Sequence, residues 1–273
     1  MGKTIFITGA TKNTGLAIAR KFAADGWNVA VSSRDRAAAE ETAQALAAEY
    51  GAEALGLAMD PAEVPSIRTA FAALKDRFGR LDAFVSNAAN LGVGFSVLNS
   101  EESDWDAVVN ANARGSFFGA QEAQRLMTEG GSIVFISSCH AKKAVPGRAL
   151  YTISKAAIGG MTRSLAVELG CLGIRVNAIL AGAVRTDRWD GLSDEEVEKR
   201  RSRWPMGQES TPEQIAAAVA FLCSDAAGTI SGAEIPVDSG IGACLLAYNK
   251  NWIQNDPYNV KYWEKKKGGI APF

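Results

Sequence analysis

Lys3-Thr4-Ile5-Phe6-Ile7-Thr8-Gly9-Ala10-Thr11-Lys12-Asn13-Thr14-Gly15 decides the fold. Its first six residues form a short β-branched and apolar run that reads as a strand, and the helical pattern Leu16 to Ala24 follows Gly15. The stretch is therefore strand, glycine-rich turn, helix. Gly9 suits the tight turn and Gly15 lets the helix pack closely on the strand. The N–H groups at the helix start then have no partners in their own chain and point outward, an arrangement that receives a pyrophosphate.

Working outward, strand patterns fall near 3–8, 28–32, 53–58, 81–86, 131–137, 174–180 and 233–237, with helices near 14–25, 36–50, 63–78, 101–127, 149–170 and 212–224. Asp25-Gly26, Tyr50-Gly51, Phe78-Gly79 and Gly130-Gly131 read as helix ends. Strands alternating with helices predict an α/β fold, a Rossmann-like doubly wound parallel sheet of about seven strands. Residues 1–240 form one such domain, and 241–273 form a C-terminal extension.

The chain has 273 residues, 47% hydrophobic and 22% charged, with a net charge of −1. That supports one substantial core and gives no reason to expect a nucleic-acid partner. No apolar stretch approaches the ~20 residues of a membrane span, and the chain opens on a strand without signal-peptide architecture, so a cytoplasmic location is expected. Four scattered cysteines and a single histidine, His140, make a metal site unexpected.

Tyr151 and Lys155 stand four apart, thirteen residues after the pair Ser137-Ser138 that ends the strand at 131–137. On a helix they share a face, so an ammonium can sit beside a phenol and draw its pKa down from about 10. Such a phenol exchanges a proton with a substrate oxygen. The same spacing also occurs on ordinary surface helices.

Thr8-Gly9-x5-Gly15, Ser86-Asn87-Ala88-Ala89, Asn112, Ser138, Tyr151-x3-Lys155 and Asn177 through Gly182, Val184 and Thr186 together resemble the short-chain dehydrogenase/reductase family over about residues 3–240. Asn13 replaces the usual middle glycine, Ser86 and Ala89 alter the usual Asn-Asn-Ala-Gly, and Ala181 stands where proline usually precedes Gly182. The resemblance implies a nicotinamide cofactor and a catalytic set of Asn112, Ser138, Tyr151 and Lys155. Tyr151 is then the acid and base, Lys155 lowers its pKa and holds the nicotinamide ribose, Ser138 meets the substrate oxygen, and Asn112 supports a helix bend and a proton-passing water.

Cofactor contacts are implied at Gly9, Thr11, Lys12, Asn13, Thr14, Gly15, Asp60, Asn87, Ala88, Gly182, Val184 and Thr186, besides Tyr151 and Lys155. For Asp60, which the resemblance places at the adenine ring, a helix cap before Pro61 is a second and compatible reading. The strand ending at Ser32-Ser33-Arg34 bears on cofactor choice, since an acid there binds the NAD 2′-hydroxyl and an arginine accommodates the NADP 2′-phosphate. Ser33 fills the acidic position and Arg34 follows, with Lys12 as a second cation and Asp35 as a rival partner for Arg34. NADP is favoured, with NAD open.

Residues 185–208 correspond to the family's variable substrate loop. Trp189, His140, Ser138 and Tyr151 are the candidate substrate contacts, and the run Asp194 to Arg201 reads as a solvated helix face. A small ketone or secondary alcohol is expected, including sugars, polyols and hydroxy acids. The alternatives are a redox-neutral lyase or dehalogenase, whose scaffold typically loses the dinucleotide loop and the lysine, and a non-catalytic NADP-binding sensor. The family habit implies a homotetramer or homodimer. Tyr248, Trp252, Tyr258, Tyr262, Trp263 and Phe273 in the extension suggest packing on a neighbouring subunit or over the pocket.

Overall fold

A computed structural model describes residues 2–244. Seven parallel strands, β1 (Thr4–Thr8), β2 (Asn28–Ser33), β3 (Ala54–Ala58), β4 (Ala83–Ser86), β5 (Gly131–Ser138), β6 (Ile174–Ala181) and β7 (Glu234–Val237), form one sheet in the order 3-2-1-4-5-6-7. Helices α1 (Asn13–Ala24), α2 (Arg36–Tyr50), α3 (Val64–Phe78), α4 (Glu102–Trp105), α5 (Gly115–Gln124), α6 (Ala149–Leu169), α7 (Asp194–Arg201) and α8 (Pro212–Cys223) connect them. The order reverses between β1 and β4, and that switch point leaves a crevice at the strand C-termini.

Every residue of β1 is buried, and its side chains divide between two cores, as a period of two demands. Ile5 and Ile7 join Ile18 and Phe22 of α1 and Val219 and Leu222 of α8. Phe6 faces the other way, with Phe71 at 5.0 Å and Phe84 at 5.9 Å between ring centroids. With both faces covered, the central strands β1 and β4 read as largely apolar runs instead of alternating ones.

Two expectations from sequence need correction. The segment 101–127 is not one regular helix: between α4 and α5, Asp106–Arg114 is π-helical. Its wider turn rotates the following residues by an extra position, which hydrophobic periodicity does not reveal. Gly130-Gly131 does not close a helix either, because α5 ends at Gln124. Gly130 takes φ +81° where an added Cβ would lie 2.7 Å from the Gly173 carbonyl, so it serves a close approach of two loops.

The boundary at 240 falls just before a short 3₁₀ turn, Ile241–Ala243, whose Gly242 amide donates to Asp238. Residues 245–273, with all six aromatic residues of the extension, lie outside the described residues.

Candidate active site

The glycine-rich turn is fastened to the end of β4 by one threonine and one asparagine. The Thr8 hydroxyl accepts from the amides of Asn87 and Ala88, both at 3.0 Å, and the Asn87 side-chain amide donates to the carbonyls of Thr8 and Gly9. Glycine is required twice here. Gly9 has φ +63° with a notional Cβ 2.9 Å from Ala88 Cα, and at Gly15 a Cβ would sit 2.3 Å from the Gly9 oxygen. Asn13 takes the place of the middle glycine at φ +50°, a left-handed conformation asparagine tolerates.

Side chains cap α2, α7 and α8 (Asp35, Ser193 and Thr211), whereas α1 has no side-chain cap. Its leading amides, with Thr11 and Thr14 beside them in the turn, remain available to an anionic ligand.

Beyond β2, Ser33 presents no carboxylate and its hydroxyl accepts from the Asp35 amide. Asp35 does not pair with Arg34; its carboxylate caps α2 by accepting from the Ala38 amide, and Arg34 is exposed with no acidic partner among the described residues. Lys12 is placed differently from the expectation that it stands by Arg34. Its ammonium meets Asp187 at 3.0 Å, while the Asn13 side chain donates to the same carboxylate and accepts from the Asp187 amide. Asp187 follows Thr186 in the segment after β6, so this strap joins the two banks of the crevice, and Lys12 and Asn13 hold the Asp187 carboxyl below the usual carboxylate range.

Asp60 is not a helix cap, since α3 begins four residues later with Glu63 at its N-cap. Its side chain instead accepts from the Ala62 amide at 2.9 Å in a tight turn.

Around the candidate catalytic set, Ser138 ends β5 and its hydroxyl accepts from the His140 amide at 3.2 Å. Tyr151 lies in the first turn of α6, its ring edge-on to His140 with centroids 5.6 Å apart. Lys155, one turn on, is buried, donates to the Ile136 carbonyl at 2.8 Å and has its Nζ 5.7 Å from the centre of the Tyr151 ring. Burial without a carboxylate lowers its pKa to about 8.

The lowering of the phenol pKa by Lys155 is not what this structure shows. Burial raises the Tyr151 pKa, and the groups that pull it back are Ser138, Arg188 and Arg148. The Lys155 head group is itself desolvated and turned to a backbone carbonyl, which limits what it can contribute. A phenol held in its protonated form is an acid ready to donate.

Asn112 sits within the π-helical stretch and is buried. It accepts from the Asn90 amide at 2.7 Å and donates to the Asn90 carbonyl and the Ser154 hydroxyl, which in turn donates to the Tyr151 carbonyl. The π-helix thereby locks the loop after β4 to the turn bearing Tyr151. Sequence reasoning missed the companion contact: Ser86 and Ser116 hydroxyls meet at 2.9 Å, and Ser116 donates to the Asn112 carbonyl. The serine in place of the usual asparagine at Ser86 was the available signal.

Gly182 packs where a Cβ would lie 2.6 Å from Asp238 Cα, and Val184 bridges to Ser210. The Thr186 hydroxyl accepts from Arg188 Nε at 3.3 Å. Trp189, expected at the substrate, is buried; its indole N–H donates to the Val184 carbonyl, and its ring lies 5.9 Å from that of Trp204. It anchors the loop from beneath. The loop's other fastening is Glu209, whose nearly buried carboxylate binds Arg201 through two nitrogens and Arg185 at 3.2 Å, so that its pKa falls to about 2.

Comparison with known proteins agrees with these features. Residues 9–242 match the family model described as enoyl-(acyl carrier protein) reductase. The chain is 34% identical over 246 residues to a 3-oxoacyl-(acyl-carrier-protein) reductase of Staphylococcus aureus, covering 88% of this chain and 98% of the relative. It is 34% identical to glucose 1-dehydrogenase 2 of Bacillus subtilis, covering 88% and 95%. A short-chain dehydrogenase/reductase from Serratia marcescens superposes with a TM-score of 0.82 at 32% identity, covering 89% and 98%. The actinorhodin polyketide ketoreductase solved with NADPH gives 0.82 at 31% with the same coverage.

The glycine-rich loop and Lys155, whose loss marks redox-neutral relatives, are both in place. The residues facing the crevice suit a dinucleotide: an uncapped helix start, two glycines whose replacement would fill the turn, and an unpaired arginine past β2. The chain belongs to the short-chain dehydrogenase/reductase family and is a nicotinamide-dependent oxidoreductase that moves hydride between its cofactor and a carbonyl or alcohol carbon.

Proposed function

We propose that the enzyme is an NADP-preferring reductase or dehydrogenase of small ketones and secondary alcohols, a class that takes in sugars, polyols and hydroxy acids, with Tyr151 as its proton donor. The observation carrying this reading is the gathering of Ser138, Tyr151 and buried Lys155 at the end of β5 and the start of α6, across the switch point from the uncapped α1. When bound, the cofactor supplies the hydride. Tyr151 delivers its phenolic proton to the substrate oxygen in reduction and takes it back in oxidation. Ser138 orients that oxygen by hydrogen bonding. Lys155 and Asn112 fix the turn that carries Tyr151, and Lys155 holds the nicotinamide ribose.

The start of α1, with Gly9, Thr11, Asn13, Thr14 and Gly15, would hold the pyrophosphate, with Asn87 and Ala88 lining the crevice. Asp60 would meet the adenine ring, and Gly182, Val184 and Thr186 the carboxamide end. Ser33, which lacks a carboxylate, and the unpaired Arg34 support NADP over NAD, as does the NADPH named in the ketoreductase structure. The test is turnover of a carbonyl and alcohol panel followed by nicotinamide absorbance, for wild type and Tyr151→Phe, with NADPH and NADH in parallel.

Association into a homotetramer or homodimer is part of this reading. Exposed Trp105, Phe117, Ile153 and Val167 lie on the elements the family uses for assembly. The reading includes a cytoplasmic enzyme with residues 1–240 as its catalytic unit; no helix of the described residues is long and apolar enough to cross a membrane.

A further inference from the structure

Arg148 and Arg188 approach Tyr151 from two different segments, the loop before α6 and the turn after β6. Arg148 is the residue just before α6, three positions ahead of Tyr151 and so over the same helical face. Its guanidinium donates to the Leu91 carbonyl at 2.8 Å, and its backbone bridges to Phe95, which draws the loop after β4 alongside the phenol. Gly92 of that loop comes so near that an added Cβ would lie 3.5 Å from Tyr151 Cβ. Arg188 stands in the turn Asp187–Trp189, with Nε on the Thr186 hydroxyl and the turn pinned by the Trp189 indole.

Neither arginine has a carboxylate partner among the described residues, although Arg163 on α6 and Arg185 and Arg201 around the loop all end on glutamates. The nearby acids are already engaged: Asp187 by Lys12 and Asn13, and Asp238 by the amides of Gly240 and Gly242. Two cations near the reacting centre, neither paired with a carboxylate of the described residues, favour a ligand that brings its own negative charge.

We propose that Arg148 and Arg188 read an anionic group on the substrate, so that this enzyme acts on oxo acids or phosphorylated ketones in preference to neutral ketones. The proposal rests on Tyr151 as the proton donor, and it narrows that reading to one class of carbonyl compound. Consistent with it, the charges of both arginines are felt at the Tyr151 phenol and that of Arg148 at His140, whose imidazole is held below its ordinary pKa chiefly by burial. A neutral imidazole there leaves reading of the anion to the guanidinium groups.

The test uses pairs that share the reacting carbonyl and differ in charge: a series of 2-oxo and 3-oxo acids beside their methyl esters, and phosphorylated ketones beside the free hydroxyketones. Charge-assisted hydrogen bonds predict a kcat/KM about 10- to 100-fold higher for the anionic member of a pair. Arg188→Met and Arg148→Met should each lower the anionic-to-neutral ratio of kcat/KM about tenfold, mainly through KM of the anionic member. Because Arg148 also anchors the 91–95 loop, Arg148→Lys is the companion variant; it keeps a charge and should keep part of the preference. A preference on phosphorylated ketones alone assigns the anion to phosphate, and one on oxo acids alone assigns it to carboxylate.

Turnover confined to neutral members, or an anion preference that both methionine variants leave intact, overturns the proposal. Tyr151→Phe separates the two readings, since loss of its hydroxyl should depress both members of a pair together and leave their ratio unchanged.

Discussion

The two banks of the crevice are built from different interactions. On the bank formed by β1, β4 and α1, the fastening is to backbone: Thr8 and Asn87 side chains bind main-chain amides and carbonyls, and Gly9 and Gly15 pack against main chain at distances no side chain permits. On the bank formed by residues 183–210, a short backbone ladder joins Ala183 and Arg185 to Ser210, and the loop beyond it is fastened by side chains: Glu209 with Arg185 and Arg201, and Trp189 with Trp204, while α7 buries none of its residues. A bank tied through backbone fixes one geometry for an invariant cofactor. A bank tied through side chains can be rewritten residue by residue, as substrate choice requires.

The largest effects should come from breaking the chemistry or the backbone-tied bank. Tyr151→Phe should lower kcat by about 10³-fold while leaving cofactor affinity within a few-fold, checked by single-turnover kinetics and cofactor titration. Retention of a tenth of wild-type activity would remove Tyr151 from its role. Gly15→Ala forces a Cβ onto the Gly9 carbonyl and should destabilise the fold by about 3 kcal/mol with loss of cofactor binding, read by urea denaturation. If it is tolerated, the rigid bank is softer than its contacts imply.

Next is Lys155, whose pKa falls from 10.5 to about 8. Between those values the unfolded chain holds a proton that the folded chain does not, so this group's share of the stability should rise with pH from about 8 toward 10, against the opposite trend of the Cys223 and Cys139 thiols, whose pKa values burial raises. From pH 8 to 9.5 this one group contributes on the order of 2 kcal/mol. In Lys155→Met that rise should vanish, and comparison of urea midpoints at the two pH values checks it.

Smaller still, Glu209→Gln should raise substrate KM several-fold and weaken cofactor binding less, since the loop it loosens carries Val184 and Thr186 as well; an effect on the cofactor as large as that on the substrate would erase the contrast between the banks. Smallest of all, Asp187→Ala removes an exposed strap and should change cofactor association and dissociation by no more than about fivefold, read by stopped-flow fluorescence.

Much of the backbone-tied bank was legible in the sequence, because strand, glycine turn and helical periodicity are local signals. α2 spans Arg36–Tyr50 as its pattern predicts, and each of the seven strands lies within two residues of its expected bounds. The illegible parts depend on distant partners. Nothing near Lys12 announces Asp187, 175 residues away, and nothing around Trp189 says that its ring turns inward onto Trp204. The π-helical turn escaped because it adds one residue to a helix without changing composition. The direction of the Tyr151 pKa escaped because helical spacing reports the proximity of a lysine but not its desolvation.

The Thr8 and Asn87 contacts also carry a kinetic consequence. They join residues 78 to 80 apart, and the pairing of β1 with β4 closes a loop that contains β2, β3 and α3. Closing so long a loop is slow compared with winding the helices it encloses. The dinucleotide crevice is therefore a late product of folding. In a refolding experiment the far-ultraviolet helix signal should return first, and the capacity to enhance the fluorescence of reduced nicotinamide should lag behind it, with Thr8→Ala lengthening the lag.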